Sequence, residues 1–370
     1  MRRPRILAIS EIPTPYRLPL YRALAARDDL DLEVVFCAAE QPDRPWHLGD
    51  ELAGVPHRVL RNIPLRLRPR TSGFVYEVNP EIFGVLHDAR PDLLVIGGYA
   101  VFAEQAAIGF ARAHGIPYVL HSESHLLKPR PAAVRAAKRA LLPGIISGAA
   151  AGLAVGSPAA RYLAAYGLHP GRIRIFPNTI DVARYRADAA AARARAVDIR
   201  RARGLPERYH LYAGRLVEVK GIRDFLQARA LLGSAAPPAV VAGEGPLAPE
   251  VAESNGVLPV GFQQRERLVE LFALAEATVV PSLSEPWGVV VNEALACGTP
   301  VIASDAVGAA EDLIRDGVNG RIYPAGDVRA LAEALCMPQL SAAAHGRIER
   351  WTYDFAVEQF VEAVGIALGG

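Results

Sequence analysis

Short apolar runs alternate with longer helix-forming stretches along the whole chain, and this order constrains the fold more than any other feature. Stretches with helical composition, such as 102–114 and 158–166, lie between the runs. This alternation predicts parallel sheets covered by helices, and therefore an α/β protein with two Rossmann-like, doubly wound domains. The runs are rich in Val, Ile, Leu and Ala, which is typical of buried parallel strands; they occur at 5–10, 32–36, 92–98, 117–120, 151–156, 210–213, 239–242, 257–261, 277–280 and 301–304.

Length and composition agree with two globular domains. The chain has 370 residues, which is enough for two separate cores, and 51% of them are hydrophobic and 22% charged. The net charge of +2 is too small to indicate nucleic-acid binding. Cys37, Cys297 and Cys336 show no metal-ligand spacing, and so few cysteines favour a reducing compartment. With neither a signal peptide nor a long apolar run in view, we expect a cytoplasmic protein that does not span a membrane.

The stretch 281–304, PSLSEPWGVVVNEALACGTPVIAS, carries two glutamates, Glu285 and Glu293, eight positions apart. Glu285 precedes Pro-Trp-Gly and is expected in a loop, whereas the residues around Glu293 favour a helix that ends at a Cys-Gly pair. The pattern therefore predicts a loop, a helix, a tight turn and a buried strand. Backbone N–H groups near Gly288 and Val289 would lie at the helix N-terminus, a favourable position for a phosphate.

A second motif follows the strand at 210–213 and reads GRLVEVKG, residues 214–221. Its cations, Arg215 and Lys220, would lie at the carboxyl end of a parallel strand, where they can neutralise a diphosphate in the absence of a metal. Gly243 follows the next strand in a Gly-x-Gly turn, which is only a weak signal for a dinucleotide site. These loops contain no Asp-x-Asp motif and no cluster of metal ligands, so we expect no metal.

Two polar segments follow strands of the first series, where ligands of open α/β sheets gather. The first loop ends in Tyr16 and Arg17. Either both side chains face an acceptor, or Tyr16 packs in the core and Arg17 is a solvated cation. The strand at 117–120 runs into His-Ser-Glu-Ser-His, beginning at His121 and including Glu123. A single histidine is usually structural, but a cluster this polar at a strand end favours a functional role.

Three of these segments resemble the motifs of family-4 retaining glycosyltransferases, which are group 1 glycosyltransferases with the GT-B fold. They are the E-x7-E stretch 281–304, the Gly-Arg-Leu-x-x-x-Lys-Gly loop 214–221 and the Pro-Asn-x-x-Asp sequence 177–181. The first loop of the chain lacks the Gly-Gly pair that many relatives carry there. The resemblance implies two domains facing a cleft; the segments expected are an acceptor-binding domain at 1–181, a linker at 182–207, a nucleotide-sugar-binding domain at 208–349 and a helix at 350–370 that returns to the first domain.

The resemblance also implies a reaction, in which a hexose moves from a UDP- or GDP-sugar to an acceptor hydroxyl with retention at the anomeric carbon and without a metal or other cofactor. Arg215 and Lys220 would neutralise the leaving diphosphate, and the phosphate itself would act as the base in a front-side attack. Glu285 would bind a hydroxyl of the donor sugar and is less expected as a covalent nucleophile. The remaining roles are sugar contact by His121, ribose binding by Glu293, further donor contacts by Gly214, Gly243, Phe262, Trp287, Gly288 and Val289, and acceptor contacts by Tyr16, Arg17 and Glu123.

Several functions share this architecture. The expected one is a transferase of bacterial polysaccharide or glycolipid assembly, whose acceptor is a glycan or a lipid-linked sugar. Alternatives are glycosylation of a small secondary metabolite, a nucleotide-sugar 2-epimerase with His121 and Glu123 as acid and base, and a non-catalytic nucleotide-sugar-binding protein. An epimerase would change the donor sugar without any acceptor.

The charge distribution raises the hypothesis of a peripheral membrane contact. Residues 1–180 carry a net charge of +7 and the remainder −5. The cations include Arg66, Arg68 and Arg70, and a basic helix predicted at 131–142 adds Arg135, Lys138 and Arg139. Such a helix either binds the anionic inner face of the cytoplasmic membrane or is simply solvated.

Overall fold

The computed structural model describes residues 2–40, 52–65, 76–126, 131–336 and 345–369. The chain divides into two compact units, Met1–Asn178 with Tyr353–Gly370, and Thr179–Thr352. Each unit is built on its own parallel sheet, so the predicted pair of Rossmann-like α/β domains is confirmed. The Arg66, Arg68 and Arg70 stretch lies outside the described residues.

The first unit has a parallel sheet of strand order β3-β2-β1-β6-β7-β8-β9 and a separate antiparallel pair, β4-β5. Its strands are β1 Arg5–Ser10, β2 Asp31–Phe36, β3 His57–Val59, β4 Ile63–Leu65, β5 Tyr76–Val78, β6 Leu93–Ile96, β7 Tyr118–Ser122, β8 Ala151–Ala154 and β9 Ile173–Ile175. Its helices are α1 Leu18–Ala25, α2 Ile82–Ala89, α3 Phe102–His114, α4 Ala132–Ile146, α5 Ser157–Ala165 and the C-terminal helix Tyr353–Leu368.

The core of the first unit explains why its strands form. β6 and β8 are buried at every residue, as expected for continuous apolar runs covered by helices on both faces. The C-terminal helix belongs to this core, because Phe360 and Val364 pack among the buried residues of β1, β2 and β6. The rings of Phe176 and Phe360 lie 5.7 Å apart.

The second unit has the strand order β12-β11-β10-β13-β14-β15, with every pair parallel. Its strands are β10 His210–Ala213, β11 Ala239–Ala242, β12 Val257–Gly261, β13 Ala277–Val280, β14 Val301–Ser304 and β15 Gly320–Tyr323. Its helices are α6 Val182–Ala194, α7 Ala196–Arg203, α8 Ile222–Leu232, α9 Ala248–Ala252, α10 Arg265–Leu274, α11 Val289–Ala296, α12 Gly308–Leu313 and α13 Val328–Leu335. The segment expected as a linker thus forms α6 and α7 within this unit.

Each parallel sheet has a central pair of strands from which later strands are added on opposite sides. In the second unit β10, β11 and β12 run outward one way and β13, β14 and β15 the other way, so β10 and β13 are central neighbours. In the first unit β1 and β6 hold the same relationship. Ligands of open α/β sheets bind outside the carboxyl ends of the strands at such switch points. The loops after β10 and β13 are the two segments that carry the strongest sequence motifs.

Candidate functional site

The loops after β10 and β13 meet at the switch point of the second sheet through an ion pair. The Lys220 ammonium donates a hydrogen bond to Oε2 of Glu285, and their side chains are 22% and 13% exposed. A backbone hydrogen bond of 2.9 Å from Leu283 N to Val219 O joins the same two loops. The structure therefore brings together a cation and a carboxylate from motifs that are separated in the sequence, and it leaves part of both accessible.

Glycine is required at two positions where neighbouring loops of this sheet edge approach each other closely. Gly221 has φ +67°, and a Cβ there would lie 1.8 Å from the carbonyl oxygen of Pro281. Gly243 has φ +154°, and its Cβ would lie 1.9 Å from the carbonyl oxygen of Gly214. A side chain at either position would separate the loops, since no Cβ tolerates such contacts. Gly214 and Gly243, both expected at the donor site, are thus in direct backbone contact at the ends of β10 and β11.

Helix α11 begins at Val289 with Gly288 as its N-cap residue, as the sequence predicts. Val291 N in its first turn donates to Gly288 O at 2.9 Å, and the N–H groups before it lie at the positive end of the helix dipole, which favours an anion. The preceding loop is held firmly, because Glu285 N donates to Ala306 O at 3.1 Å and Gly308 N donates to Glu285 O at 3.0 Å. The helix N-terminus and Glu285 thus lie on the same short segment, and Lys220 reaches it from the loop after β10.

Two other residues expected at the donor site differ in their exposure. Arg215 is exposed in the loop after β10, and its carbonyl oxygen accepts a 2.9 Å hydrogen bond from the Tyr212 hydroxyl. Phe262 directly follows β12, at the carboxyl edge of the same sheet, and is 39% exposed. An exposed aromatic ring at this edge offers a face on which a base can stack.

The side chain of Trp287 is buried, so its ring is not available for contact with a donor. Its side chain is 2% exposed, its indole N–H donates to Asn292 Oδ1 at 2.9 Å, and its ring stacks on Trp351 with centroids 5.0 Å apart. The indole is a core group of the second unit, because burial of so large a ring is a strong packing contribution. Only the backbone of Trp287 is left for a donor contact.

Glu293 lies on α11 and is partly buried against α6. Its Oε1 accepts a 2.8 Å hydrogen bond from the hydroxyl of Tyr185. Burial raises the pKa of Glu293 to about 7, against the opposing effects of the Tyr185 hydrogen bond and the nearby Arg265 cation. Sequence reasoning missed Tyr185, whose only signal is its position four residues after the Asp of the Pro-Asn-x-x-Asp motif.

The first unit holds a buried polar network around Arg17. Its Nε donates to Asn178 Oδ1 at 3.0 Å, and its Nη2 donates to Glu123 Oε1 at 2.5 Å and lies 3.3 Å from His121 Nε2. Asn178 Nδ2 donates to the same Glu123 oxygen at 3.0 Å. Arg17 is only 8% exposed, so the alternative of a solvated cation is wrong. Asn178 was missed as part of this network, although it belongs to the Pro-Asn-x-x-Asp motif.

The network fixes the state of His121. A guanidinium only donates hydrogen bonds, so a ring nitrogen that faces it must accept. Burial, with the positive charge of Arg17, holds the pKa of His121 well below its usual value. His121 is therefore a neutral imidazole at the carboxyl end of β7. Tyr16 is half-buried beside this network and Glu123 is partly exposed.

Metal ligands do not gather anywhere in the part of the chain that the structure describes, since no group of three His, Cys, Asp or Glu side chains there could hold an ion. The sequence does contain one Asp-x-Asp pair, Asp29 and Asp31. These carboxylates pair with Arg27 and Arg5 at the start of β2, the edge opposite to the strand ends discussed above. Over the same described residues, no helix is long and apolar enough to cross a membrane.

Each of the two units matches the model of a known protein family. The family described as "Glycosyl transferases group 1" matches residues 198–336, and the family described as "Glycosyl transferase 4-like domain" matches residues 13–179. A D-inositol 3-phosphate glycosyltransferase of Mycobacterium bovis (strain BCG / Pasteur 1173P2) is 33% identical over 208 residues, which cover 51% of this chain and 41% of that protein. The protein of the same description from Mycobacterium tuberculosis (strain ATCC 25618 / H37Rv) matches to the same extent. The match thus spans 41% of the length of these curated relatives.

Solved structures match over nearly the whole chain. Anabaena Alr3699/HepE in complex with UDP-glucose has a TM-score of 0.72 at 20% identity and covers 98% of this chain and 99% of that chain. Sucrose-phosphate synthase from Thermosynechococcus elongatus has a TM-score of 0.69 at 22% identity and covers 98% of both chains. Similarity at these identities establishes the fold, and the predicted GT-B fold is confirmed.

Proposed function

Because the chain belongs to the group 1 glycosyltransferases, we propose that it transfers a sugar from a nucleotide-diphosphate sugar to an acceptor hydroxyl. The observation that carries this proposal is the cluster at the second switch point, where Lys220, Glu285 and the N-terminus of α11 meet. An ammonium beside the N-terminus of a helix suits a diphosphate, and the carboxylate suits the hydroxyls of the attached sugar. The complex of Anabaena Alr3699/HepE with UDP-glucose supports a UDP-sugar, with a GDP-sugar as the alternative donor.

In this proposal the second unit binds the donor and its leaving group. Negative charge builds on the diphosphate as the bond to the anomeric carbon breaks, so Arg215, Lys220 and the N–H groups of Gly288 and Val289 stabilise the transition state more than the ground state. Lys220 exchanges Glu285 for a phosphate oxygen when the donor binds. The released Glu285 carboxylate then accepts a hydrogen bond from a hydroxyl of the donor sugar.

The reaction retains the anomeric configuration through a front-side attack. The bond from the anomeric carbon to the phosphate oxygen breaks, the acceptor oxygen bonds to the same face of that carbon, and the acceptor proton passes to the leaving phosphate. No protein nucleophile is needed, and Glu285 as a covalent nucleophile is the minor alternative. Two protein cations and a helix N-terminus take the place of a metal, so turnover is metal-independent.

Binding of the acceptor is assigned to the first unit. The neutral His121 donates or accepts a hydrogen bond with the transferred sugar, and Tyr16 and Glu123 face the acceptor. Arg17 supports them, because its donors are taken by His121, Glu123 and Asn178. The relatives named D-inositol 3-phosphate glycosyltransferase suggest a polyol or sugar phosphate as one acceptor to test, beside glycan, lipid-linked and small-molecule acceptors.

A peripheral membrane contact at the inner face of the cytoplasmic membrane is the remaining part of the proposal. On α4, Val134 is 39% and Leu141 69% exposed, and Arg135 and Arg139 are exposed beside them. Lys138 instead donates to the Tyr162 hydroxyl at 3.0 Å, so it faces the body of the first unit. Apolar side chains next to two outward cations suit an anionic lipid surface, which would hold a lipid-linked acceptor.

The test of the proposed function begins with the purified protein and a set of UDP- and GDP-sugars. A true donor should raise the melting temperature by mass action. Without an acceptor the bound donor should be stable apart from slow hydrolysis, and with an acceptor it should yield a glycoside and the nucleoside diphosphate. Conversion of the donor sugar without an acceptor would establish an epimerase, and stabilisation without any turnover would establish a binding protein.

A further inference from the structure

Helix α6 holds a phenol against the carboxylate of α11. The Tyr185 hydroxyl donates to Glu293 Oε1 at 2.8 Å, and the Tyr185 side chain is 6% exposed. Tyr185 lies near the start of α6, whose N-cap residue Asp181 accepts a hydrogen bond of 2.9 Å from the N–H of Arg184. A capped first turn is well ordered, so the position of the phenol is defined by the helix that carries it.

A cation also packs against the face of the Tyr185 ring. The guanidinium carbon of Arg265, the first residue of α10, lies 5.6 Å from the centroid of the ring. Arg265 itself is fixed by a 2.8 Å hydrogen bond to Asp188 Oδ2, one turn further along α6. The ring is thus covered by a cation and its hydroxyl points at Glu293, which leaves the Tyr185–Glu293 bond little freedom.

We propose that Tyr185 is a positioning residue for nucleotide binding, because its hydroxyl fixes the plane of the Glu293 carboxylate so that the remaining acceptor positions receive the vicinal hydroxyls of a ribose. A carboxylate offers about four lone-pair positions, and Tyr185 occupies one of them. The inference rests on the proposed function, which places the nucleotide at Glu293. It extends that function by making discrimination between ribose and deoxyribose depend on a residue of α6.

The charged and titratable groups around Glu293 support this role. Tyr185 of α6 and Arg265 of α10 act on Glu293 directly. Cys297, the C-cap residue of α11, is influenced by Glu293, Arg265, and Asp188 and Arg193 of α6. The phenol hydrogen bond and Arg265 favour the ionised carboxylate, whereas burial disfavours it and leaves the pKa of Glu293 at about 7. Removal of the phenol hydroxyl should raise this pKa further, because the charged form loses a donor.

The experiment measures binding of UDP and 2′-deoxy-UDP by calorimetry, with GDP and its 2′-deoxy form as a second pair, between pH 6 and 9. The variant is Tyr185→Phe. The matched control is Tyr209→Phe, since Tyr209 is a buried tyrosine of the same unit whose hydroxyl donates to Leu271 O at 2.7 Å. Glu293→Gln serves as the reference for complete loss of the carboxylate.

The wild type should prefer the ribonucleotide, and Tyr185→Phe should weaken its binding about tenfold, as expected for a lost hydrogen bond to a charged group. Binding of the 2′-deoxy form should change much less, and the pH midpoint of ribonucleotide binding should move upward. Tyr209→Phe should show neither effect. Ribose discrimination that is lost in Glu293→Gln but unchanged in Tyr185→Phe would overturn the inference and leave the proposed function intact. If the wild type binds neither UDP nor GDP, the proposed function itself is wrong.

Discussion

The ammonium of Lys220 and the carboxylate of Glu285 are paired across the two loops that follow the central strands of the second sheet. The pair holds both side chains at the switch point of the sheet. In the proposed function a diphosphate competes for Lys220, and its sugar offers hydroxyls to Glu285. The two side chains would then exchange one partner each instead of becoming ordered when the donor binds, which would reduce the reorganisation that binding requires.

Loss of either cation in this loop should lower turnover strongly. We expect Lys220→Ala and Arg215→Ala each to reduce kcat/KM by about 10- to 1000-fold, or about 1.4–4 kcal/mol of transition-state stabilisation. The control is Arg223→Ala, a nearby arginine whose guanidinium is paired with Glu218 and Glu250 on the surface. Steady-state kinetics with the donor identified by thermal shift measures the effect. Near-normal kcat/KM in both loop variants would show that the diphosphate is bound elsewhere.

The two glutamates should affect different kinetic constants. Glu285→Gln should mainly lower kcat, because its proposed partner is the reacting sugar. Glu293→Gln should mainly raise the donor KM, because the proposed ribose contact binds the ground and transition states alike. Initial rates at varied donor concentration separate the two effects. The opposite pattern would mean that the roles are exchanged.

The same glutamate should make donor binding depend on pH. Burial raises the pKa of Glu293 to about 7, so its carboxylate is ionised above that pH and protonated below it. A protonated carboxyl accepts fewer hydrogen bonds from ribose, so the donor KM should rise as the pH falls below about 7. Glu293→Gln should have a high KM with no such dependence. A wild-type KM that is constant from pH 6 to 9 would contradict this account.

Arg17 should matter for the stability of the first unit, because it neutralises a buried network. Arg17→Ala leaves Asn178 Oδ1 without its donor and removes one of the two donors of Glu123 Oε1, which should cost about 1–3 kcal/mol in the free energy of unfolding. The control is Arg174→Ala, which removes a surface pair with Glu362 in the same unit and should cost less than about 1 kcal/mol. Thermal unfolding of both variants beside the wild type tests this. Equal melting temperatures for the two variants would refute a structural role of Arg17.

Two double variants that remove the same charge can test whether membrane attachment depends on α4 or on the net charge of the first unit. The double variant Arg135→Ala/Arg139→Ala should bind anionic liposomes about thirtyfold more weakly than the wild type, at about 1 kcal/mol for each cation. The double variant Arg27→Ala/Arg58→Ala removes the same charge from the same unit, but these arginines lie outside α4, after α1 and in β3. It should retain binding in a co-sedimentation assay. Wild type that stays in the supernatant with both anionic and neutral vesicles would favour a soluble acceptor.

Sequence patterns predicted the strands best where burial is continuous. The runs at 210–213, 239–242 and 301–304 became β10, β11 and β14 without a shift, because an apolar run of this length between glycine turns has few alternatives to a buried strand. The pattern missed β15 Gly320–Tyr323, whose glycine and arginine resemble a loop. That strand forms because it completes the hydrogen bonds of β14.

The contacts of the candidate site were predictable only in part. The motifs placed Lys220 and Glu285 in the correct loops, but their pairing depends on the neighbouring positions of β10 and β13. Tyr185 and Glu293 are 108 positions apart, and Arg17 and Asn178 are 161 positions apart. No local pattern encodes such pairs, since they arise from the packing of α6 on α11 and from the convergence of β1 and β9 loops. The burial of Trp287 against Trp351 has the same origin.

The most direct test of the central claim follows the anomeric carbon through one complete reaction. The purified protein is incubated with its UDP- or GDP-sugar and an acceptor in excess EDTA, and NMR records the configuration of donor and product. We predict a glycoside with the configuration of the donor, formed at the same rate with and without EDTA, and lost in Lys220→Ala. An inverted product, or turnover that EDTA abolishes and Mg²⁺ or Mn²⁺ restores, would contradict a metal-independent retaining transfer.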